Sequence, residues 1–298
     1  MLEVDIIIVN WNTGRLLARC LEVLQSLPEQ NLLHKVYVVD NNSTDTSITV
    51  ARDAIQQWNK VEFIQLTHNI GFAAANNLAL QKIKDETHIL LLNPDTEMQS
   101  GSLAALVSAL EHHPKVGIVG PKLLNPDKSL QPSVRSFPTL SVLIALFLKL
   151  HGIASAGGFL KKYFQHGFDY SKEQEVDQVM GASFLIRRQT FQEVGALDDA
   201  FFVWFEEVDV CKRVKDKGWG VLYTPTASVV HHGGASFHQL VGLRKSWPMI
   251  RSALHYARKH LGMTQAFLLA LLTPIAIALT LPATAAHTFK RKENTRRL

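Results

Sequence analysis

Val4-Asp5-Ile6-Ile7-Ile8-Val9-Asn10-Trp11-Asn12 decides the fold of this chain. Val4–Val9 is an apolar run with one acid near its start, the pattern of a strand buried on both faces, and it stops abruptly at polar residues. Leu16, Leu17, Cys20, Leu21, Leu24 and Leu27 follow at the spacing of one helix face. The alternation then repeats. Val36–Val39 reads as a second strand, and Ser43 or Thr44 is placed to cap a helix carrying Ile48, Val50 and Ile55. Val61–Leu66 reads as a third strand, followed by a helix from about Phe72 to Ile83. Ile89–Leu92, a helix over Leu103–Leu110 and Val116–Val119 complete the series. Repeated βα units predict an α/β fold, with a mostly parallel sheet flanked by helices.

Ligands on such sheets sit beyond the carboxyl ends of the strands. The residues at those ends are Asn10-Trp11-Asn12, Asp40-Asn41-Asn42-Ser43, His68-Asn69 and Asn93-Pro94-Asp95. Each alone is ordinary turn chemistry, because Asn, Asp and Ser favour turns. Four in succession along one sheet edge describe a binding rim.

Beyond Pro121 the pattern loosens. Asn125-Pro126-Asp127 reads as a turn, and Leu140–Leu150 as a helix that covers the core or lies on a membrane; the run is too short to span one. Gly181–Ile186 reads as a strand entered through small residues, and Val221–Tyr223 and Ser228–Val230 as two short strands. Between them stands Phe201-Phe202-Val203-Trp204-Phe205-Glu206-Glu207-Val208-Asp209, three carboxylates behind an aromatic run. A carboxylate held against aromatic side chains has its charged form disfavoured, so its proton affinity rises toward the range of a general base. Acids are also favoured in the first turn of a helix by the macrodipole, so the cluster alone leaves both readings open.

The 298 residues, 47% hydrophobic and 19% charged, suffice for one large α/β domain with an appendage. Cys20 and Cys211 fit no metal spacing and no disulfide framework, which points to a reducing cytosol. Met1-Leu2-Glu3-Val4-Asp5 has no basic stretch, so no signal peptide is expected. Most of the net charge of +5 belongs to the tail, where Lys290, Arg291, Lys292, Arg296 and Arg297 face only Glu293. The body has no basic stripe that would track a nucleic acid. A basic tail behind an apolar run points to an anionic membrane surface.

Six segments in order resemble family 2 glycosyltransferases with a GT-A fold, in the bacterial rhamnosyltransferase-like branch that builds cell-surface polysaccharides. They are Ile8–Asn12, Val39–Asp45, Asn69–Asn77, Leu92–Asp95, Gly181-Ala182-Ser183 with the Phe201–Arg213 block, and His231–Ser236. The resemblance implies a GT-A domain over residues 1–240, with a nucleotide-sugar half to about 120 and an acceptor half after it. It implies donor contacts from Asn10, Asn12, Asp40, Asn69, Gly71, Asn77 and Asn93. Acceptor contacts are implied for Gly181, Ala182, Trp204 and Glu206. Glu207 matches the catalytic base, and Asp95 and His231 the contacts to Mg2+ or Mn2+. Position 93 is Asn where the general Asp-x-Asp motif has Asp, so one formal charge is missing; an Asn carbonyl, a carboxylate and two diphosphate oxygens still suit a hard cation. His232 competes with His231 for that contact.

The implied reaction is inverting transfer of a sugar, rhamnose first, from a dTDP or UDP sugar to a lipid-linked saccharide. Residues 241–298 are expected to form a helical, membrane-associating segment with a basic tail. Ala266–Ala286 holds 21 residues without a formal charge, a spanning length, yet Pro274 and Pro282 interrupt it and basic residues flank both sides. A re-entrant or interfacial arrangement keeps both flanks on the cytoplasmic face of the inner membrane. Two other classes stand beside this one. A nucleotidyltransferase-like enzyme needs a Gly-rich, Lys-containing loop after the first strand, which Asn10–Arg15 does not supply. A catalytically silent, membrane-tethered assembly factor has no need of Asp95 and Glu207.

Overall fold

The computed structural model describes residues 3–56, 58–83, 86–150, 158–234, 239–240 and 242–280. The chain opens with β1 (Val4–Asn10), α1 (Gly14–Ser26), β2 (Leu33–Asp40), α2 (Ser47–Ala54), β3 (Val61–Gln65), α3 (Phe72–Leu80) and β4 (His88–Leu92). Next come β5 (Thr96–Met98), α4 (Ser102–His112), β6 (Val116–Leu124), β7 (Leu130–Gln131) and β8 (Val134–Arg135). Helices α5 (Leu140–Phe147) and α6 (Gly158–Tyr163) precede β9 (Gln174–Glu175), β10 (Gln178–Val179), β11 (Ser183–Ile186) and α7 (Arg188–Val194). The last elements are α8 (Glu206–Asp216), β12 (Gly220–His231), α9 (Leu243–Tyr256), a π-helical turn (Ala257–Leu261), α10 (Met263–Leu271) and α11 (Thr273–Ala278).

Among the described residues, ten strands form one mixed sheet whose main path is β3-β2-β1-β4-β11-β6-β12-β5. β1 pairs in parallel with β2 and β4, β2 with β3, and β6 with β12; β11 runs antiparallel to both of its neighbours. The twofold alternation of a strand divides the core. Ile6, Ile8, Val36, Val38, Leu90 and Leu92 join α1, α2 and α4 on one face. Ile7, Val9, Tyr37, Val39, Ile89 and Leu91 join α3 and α8 on the other. A third cluster gathers α5, Phe201, Phe205, Val208 and the C-terminal helices. The helix read over Leu140–Leu150 is the packed helix α5, which ends at Phe147, with Leu143 and Phe147 buried.

Several local readings change. Neither Ser43 nor Thr44 caps α2. The N-cap position is Thr46, and Asp45, just ahead of it, accepts the Ser47 N–H through Oδ1 at 3.0 Å. Ser43 and Thr44 instead lock the first loop to the second, through Asn12 N–H to Ser43 Oγ at 2.9 Å and Thr44 N–H to Asn12 Oδ1 at 2.7 Å. The helix after Gly71 ends at Leu80. The two strands read over Val221–Val230 are one strand, β12, whose register shifts between Thr224 and Ser228. Pro225 lies in that shift; it lacks an N–H and interrupts the ladder without ending the strand.

The uncharged stretch Ala266–Ala286 is not one helix. α10 stops at Leu271, and Pro274, in the first turn of α11, starts a new one. Among the described residues no helix is long and apolar enough to cross a membrane. Pro282 and the basic tail lie outside the described residues.

Candidate active site

A cavity of about 410 Å³ opens at the carboxyl ends of β1, β2 and β4, the edge where the polar strand ends converge. Asn69, Gly71, Asn93, Asp95, Gly181, Ala182, Trp204, Glu206, Glu207 and His231 all line it, although they come from segments more than 150 residues apart. Asn10, Asn12, Asp40 and Asn77 do not line it. Asn10 Nδ2 donates to Asp40 Oδ1 at 2.8 Å and to Ser43 Oγ at 2.9 Å, so the first three form a buried clasp between the β1 and β2 loops. The Asn77 amide is taken at both ends by the Leu197 backbone, at 2.7 and 3.0 Å, and it pins α3 to the segment ahead of Phe201.

Asn41 shapes the cavity from β2. Its Nδ2 donates to Gly71 O at 3.1 Å and its Oδ1 accepts the Ile70 N–H at 2.9 Å. Gly71 has φ +91°, and a Cβ there would stand 2.6 Å from Phe202 O and 2.8 Å from the Phe202 ring. The Phe72 N–H donates to that same carbonyl at 2.6 Å. The loop after β3 and the aromatic loop before α8 are therefore in direct backbone contact, and only glycine fits the seam.

Trp204 and Phe205 both adopt positive φ, 64° and 73°. Two consecutive left-handed residues turn the chain sharply, and strain of this kind persists where surrounding structure enforces it. The turn delivers Glu206 and Glu207 to the first turn of α8, at the cavity wall. Oε2 of each is shielded from solvent and meets no hydrogen-bond partner. Burial pushes both carboxyls above the usual range, and the neighbouring Glu207 charge pushes Glu206 further. Backbone N–H groups of Glu207, Val208 and Phe205 partly offset the rise at Glu207. The rise is greater at Glu206, so Glu207 is the more readily ionised of the two carboxyls.

Asp209, the third acid, is fully buried and paired. Arg213 Nε reaches it at 2.8 Å, and Lys259 Nζ and His260 Nε2 each at 2.7 Å. Burial raises its carboxyl, but the bonds from His260 and Lys259 and the Arg213 charge outweigh that and hold it below the usual range. Asp209 thus ties α8 to the π-helical turn.

In the same cavity, His231 Nε2 stands 3.5 Å from Asp95 Oδ1. His232 is spoken for elsewhere, its Nε2 2.9 Å from Glu97 Oε1. The Gln131 amide donates through Nε2 to Asn125 Oδ1 at 3.0 Å and to His231 O at 3.2 Å, which leaves its Oε1 to accept the His231 Nδ1–H at 2.7 Å. With Nδ1–H given to Gln131, Nε2 is the ring nitrogen that faces the Asp95 carboxylate. A carboxylate oxygen and an imidazole nitrogen this close are a pair of ligands that a divalent cation can take. Among the described residues no three His, Cys, Asp or Glu side chains form a cluster able to hold a metal. A divalent cation taking about six ligands fits here only if shared with a ligand that brings oxygens of its own.

Sequence motifs had marked the strand ends but not the whole wall. Trp11, Asn41 and Phe202 lie inside the motifs, whereas Met180 and Leu240 line the cavity with no sequence signal beyond apolarity.

Comparison with known proteins places this arrangement. The chain is 28% identical over 237 residues to the N-acetylglucosaminyl-diphospho-decaprenol L-rhamnosyltransferase of Mycobacterium tuberculosis H37Rv, covering 76% of this chain and 75% of that protein. It is 26% identical over 247 residues to rhamnosyltransferase WbbL of Escherichia coli K12, covering 80% and 88%. A crystal structure of GalNAc-T7 with UDP, GalNAc and Mn2+ superposes with a TM-score of 0.59 at 18% identity, over 78% of this chain and 44% of that one. That likeness shows the fold, and the α/β GT-A architecture expected from the motifs is the one observed. Residues 5–195 match the family described as Glycosyl transferase family 2, from the first strand through α7, and the chain belongs to that family.

Proposed function

We propose that this glycosyltransferase transfers a sugar, rhamnose first among the candidates, from a dTDP or UDP sugar to a hydroxyl of a lipid-diphosphate-linked saccharide, with inversion. The observation that carries this reading is one cavity lined by Asp95, His231 and Glu207 together. The two named rhamnosyltransferases support the sugar, and the decaprenol-linked name of the first supports the acceptor class, an N-acetylhexosaminyl diphospholipid.

In this reading Asn69, Gly71 and Asn93 line the donor's sugar and diphosphate, while Asn10, Asn12 and Asp40 hold the loops that meet its base and ribose. Asp95 and His231 hold Mg2+ or Mn2+ together with the diphosphate, Asn93 lending its carbonyl oxygen. When bound, the cation neutralises charge that grows on the leaving phosphate. Gly181, Ala182, Trp204 and Glu206 border the acceptor. Glu207 takes the proton of the attacking hydroxyl, and Glu206, whose carboxyl is raised further by burial and by the Glu207 charge, flanks it. The apolar wall of Trp204 and Phe202 excludes water that would otherwise hydrolyse the donor.

The C-terminal helices support a membrane-surface location on the cytoplasmic face of the inner membrane. Met263, Phe267, Leu271, Ile275 and Leu279 recur every fourth residue, and all are exposed. Arg244, Lys245, Arg251 and Arg258 are exposed on the adjoining α9 and π-helical turn. An apolar stripe with basic neighbours suits an anionic leaflet, as an interfacial helix does.

The test is transfer from a panel of dTDP and UDP sugars to a diphosphate-linked N-acetylhexosamine lipid, with Mg2+ or Mn2+ and an EDTA control. Metal-dependent product from one donor is expected, and Asp95→Ala should weaken metal-dependent donor binding. Product formed equally in EDTA sinks the metal reading, and absence of both transfer and donor hydrolysis sinks the whole assignment.

A further inference from the structure

A second cavity, of about 240 Å³, lies behind Glu207. Glu207, Trp204 and Met180 line both cavities, so the proposed base forms part of the wall between them. Its lining differs from the first. It has no carboxylate except Glu207, and it carries one guanidinium, that of Arg135. Arg135 Nη1 donates to Val134 O at 2.7 Å, and its carbon Cζ stands 5.2 Å from the centre of the Phe164 ring. Its other N–H groups meet no protein acceptor among the described residues. Ser133, 2% exposed, lines the same cavity with an Oγ that has no partner. Tyr163 lines it too; burial pushes its phenol up to about 12, so the hydroxyl stays a neutral donor. Leu146 of α5 and Met249 of α9 complete it on the side of the C-terminal helices.

A buried polar atom without a partner costs free energy unless a ligand supplies one. A guanidinium with unused N–H groups, stacked on an aromatic ring, suits the planar bidentate recognition of phosphate. The donor's diphosphate has its own place at Asp95 and His231, in the first cavity. A displacement with inversion brings the acceptor hydroxyl from the side opposite that leaving group, past the base. The second cavity opens on Glu207 from elsewhere than the donor cavity. Resting on the function proposed above, the geometry points to this second cavity as the acceptor subsite: Arg135 binds the diphosphate of the lipid-linked acceptor, Ser133 and Tyr163 bind its first sugar, and Leu146 and Met249 receive the start of the lipid. α5 and α9 both pack on α10, whose far side bears the exposed apolar stripe, so the lipid leaves toward the bilayer side of the molecule.

The experiment compares two acceptors with the full chain: an N-acetylhexosamine on a short alkyl diphosphate, and the same sugar as an alkyl glycoside without phosphate. The wild-type enzyme is expected to favour the diphosphate acceptor by at least about tenfold in kcat/KM, mostly through KM. Arg135→Ala should collapse that preference by about 10- to 100-fold, while nucleotide-sugar affinity, measured directly, stays that of the wild type and shows the variant folded. Arg135→Lys should fall between, because it keeps the charge and loses the fork. An undiminished preference in Arg135→Ala overturns the subsite. So does an equal loss on both acceptors, which marks Arg135 as structural. A wild-type enzyme that neither transfers nor hydrolyses any donor overturns the underlying function instead, and the two failures are told apart.

Discussion

Gly71→Ala is the sharpest test of how the donor and catalytic segments are coupled. The new Cβ would meet Phe202 O at 2.6 Å, where ordinary contact begins at 3.4 Å. Phe202 must therefore retreat by about 0.8 Å, a shift large on the scale of packed interiors. The backbone at φ +91° and ψ 167° is a region that residues with a Cβ scarcely enter, costing about 1–3 kcal/mol. Overpacking adds roughly 1–3 kcal/mol more. Taken together, the loss is about 2–6 kcal/mol, and for a chain of this size Tm should fall by roughly 5–20 °C. The functional effect follows from position, because Phe202 stands four residues before Glu206 in a turn fixed by two left-handed residues. A misplacement near 1 Å costs about 100-fold in rate, so kcat should drop about 10- to 100-fold even at temperatures where the protein is folded. Thermal denaturation and initial-rate transfer on the same preparation make the measurement. A Tm within about 2 °C of wild type together with an unchanged kcat would refute the claim that Gly71 and Phe202 form an obligatory seam.

Glu207→Gln should lower kcat by about 100- to 10,000-fold with donor affinity retained, whereas Glu206→Gln should keep most of the activity; the reverse ranking would move the base to Glu206. Because burial raises the Glu207 carboxyl, kcat/KM should decline as pH falls through a value above that of ordinary glutamate, and Glu206→Gln should leave that acid limb in place. The stability consequence has a definite sign. A carboxyl raised on folding contributes stability that is present at low pH and lost as pH rises through its folded value, so Glu206→Gln should raise Tm more at pH 8 than at pH 5. Phe267→Glu with Leu271→Glu should release the protein from vesicles containing anionic lipid without lowering Tm, since both side chains are exposed; unchanged vesicle binding would remove α10 from the membrane contact.

The strand ends were legible because each apolar run stops at a polar residue, and β1 shows it plainly in Val9-Asn10. What the sequence could not show are bonds made at long range. Asn77 sits in the motif yet is held by Leu197, 120 residues away, and nothing local marks that pairing. Ser43 and Thr44 do not reach the α2 terminus because they are drawn off by Asn10 and Asn12 across the loop, and Asp45 bonds the Ser47 N–H instead. Nothing local tells His231 from His232; it is Glu97, far off in sequence, that takes the second ring and leaves the first facing Asp95. Arg135 lies on a two-residue strand, Ser133 in the loop just ahead of it and Tyr163 at the end of a six-residue helix, and none of these has a recognisable sequence pattern.

The strand order has a consequence for how the chain acquires its shape. β4 and β6 are separated by only a few dozen residues, yet β11 lies between them, antiparallel to both. Until Ser183–Ile186 has been synthesised, the sheet has a slot with an unpaired ladder on each side and an apolar core open to water. Pairing at such sequence separation is slow, and exposed strand edges attract other chains. Emerging from the ribosome, the first 180 residues therefore cannot close the sheet: β11 must fill the slot between β4 and β6, and β12, later still, the one between β6 and β5.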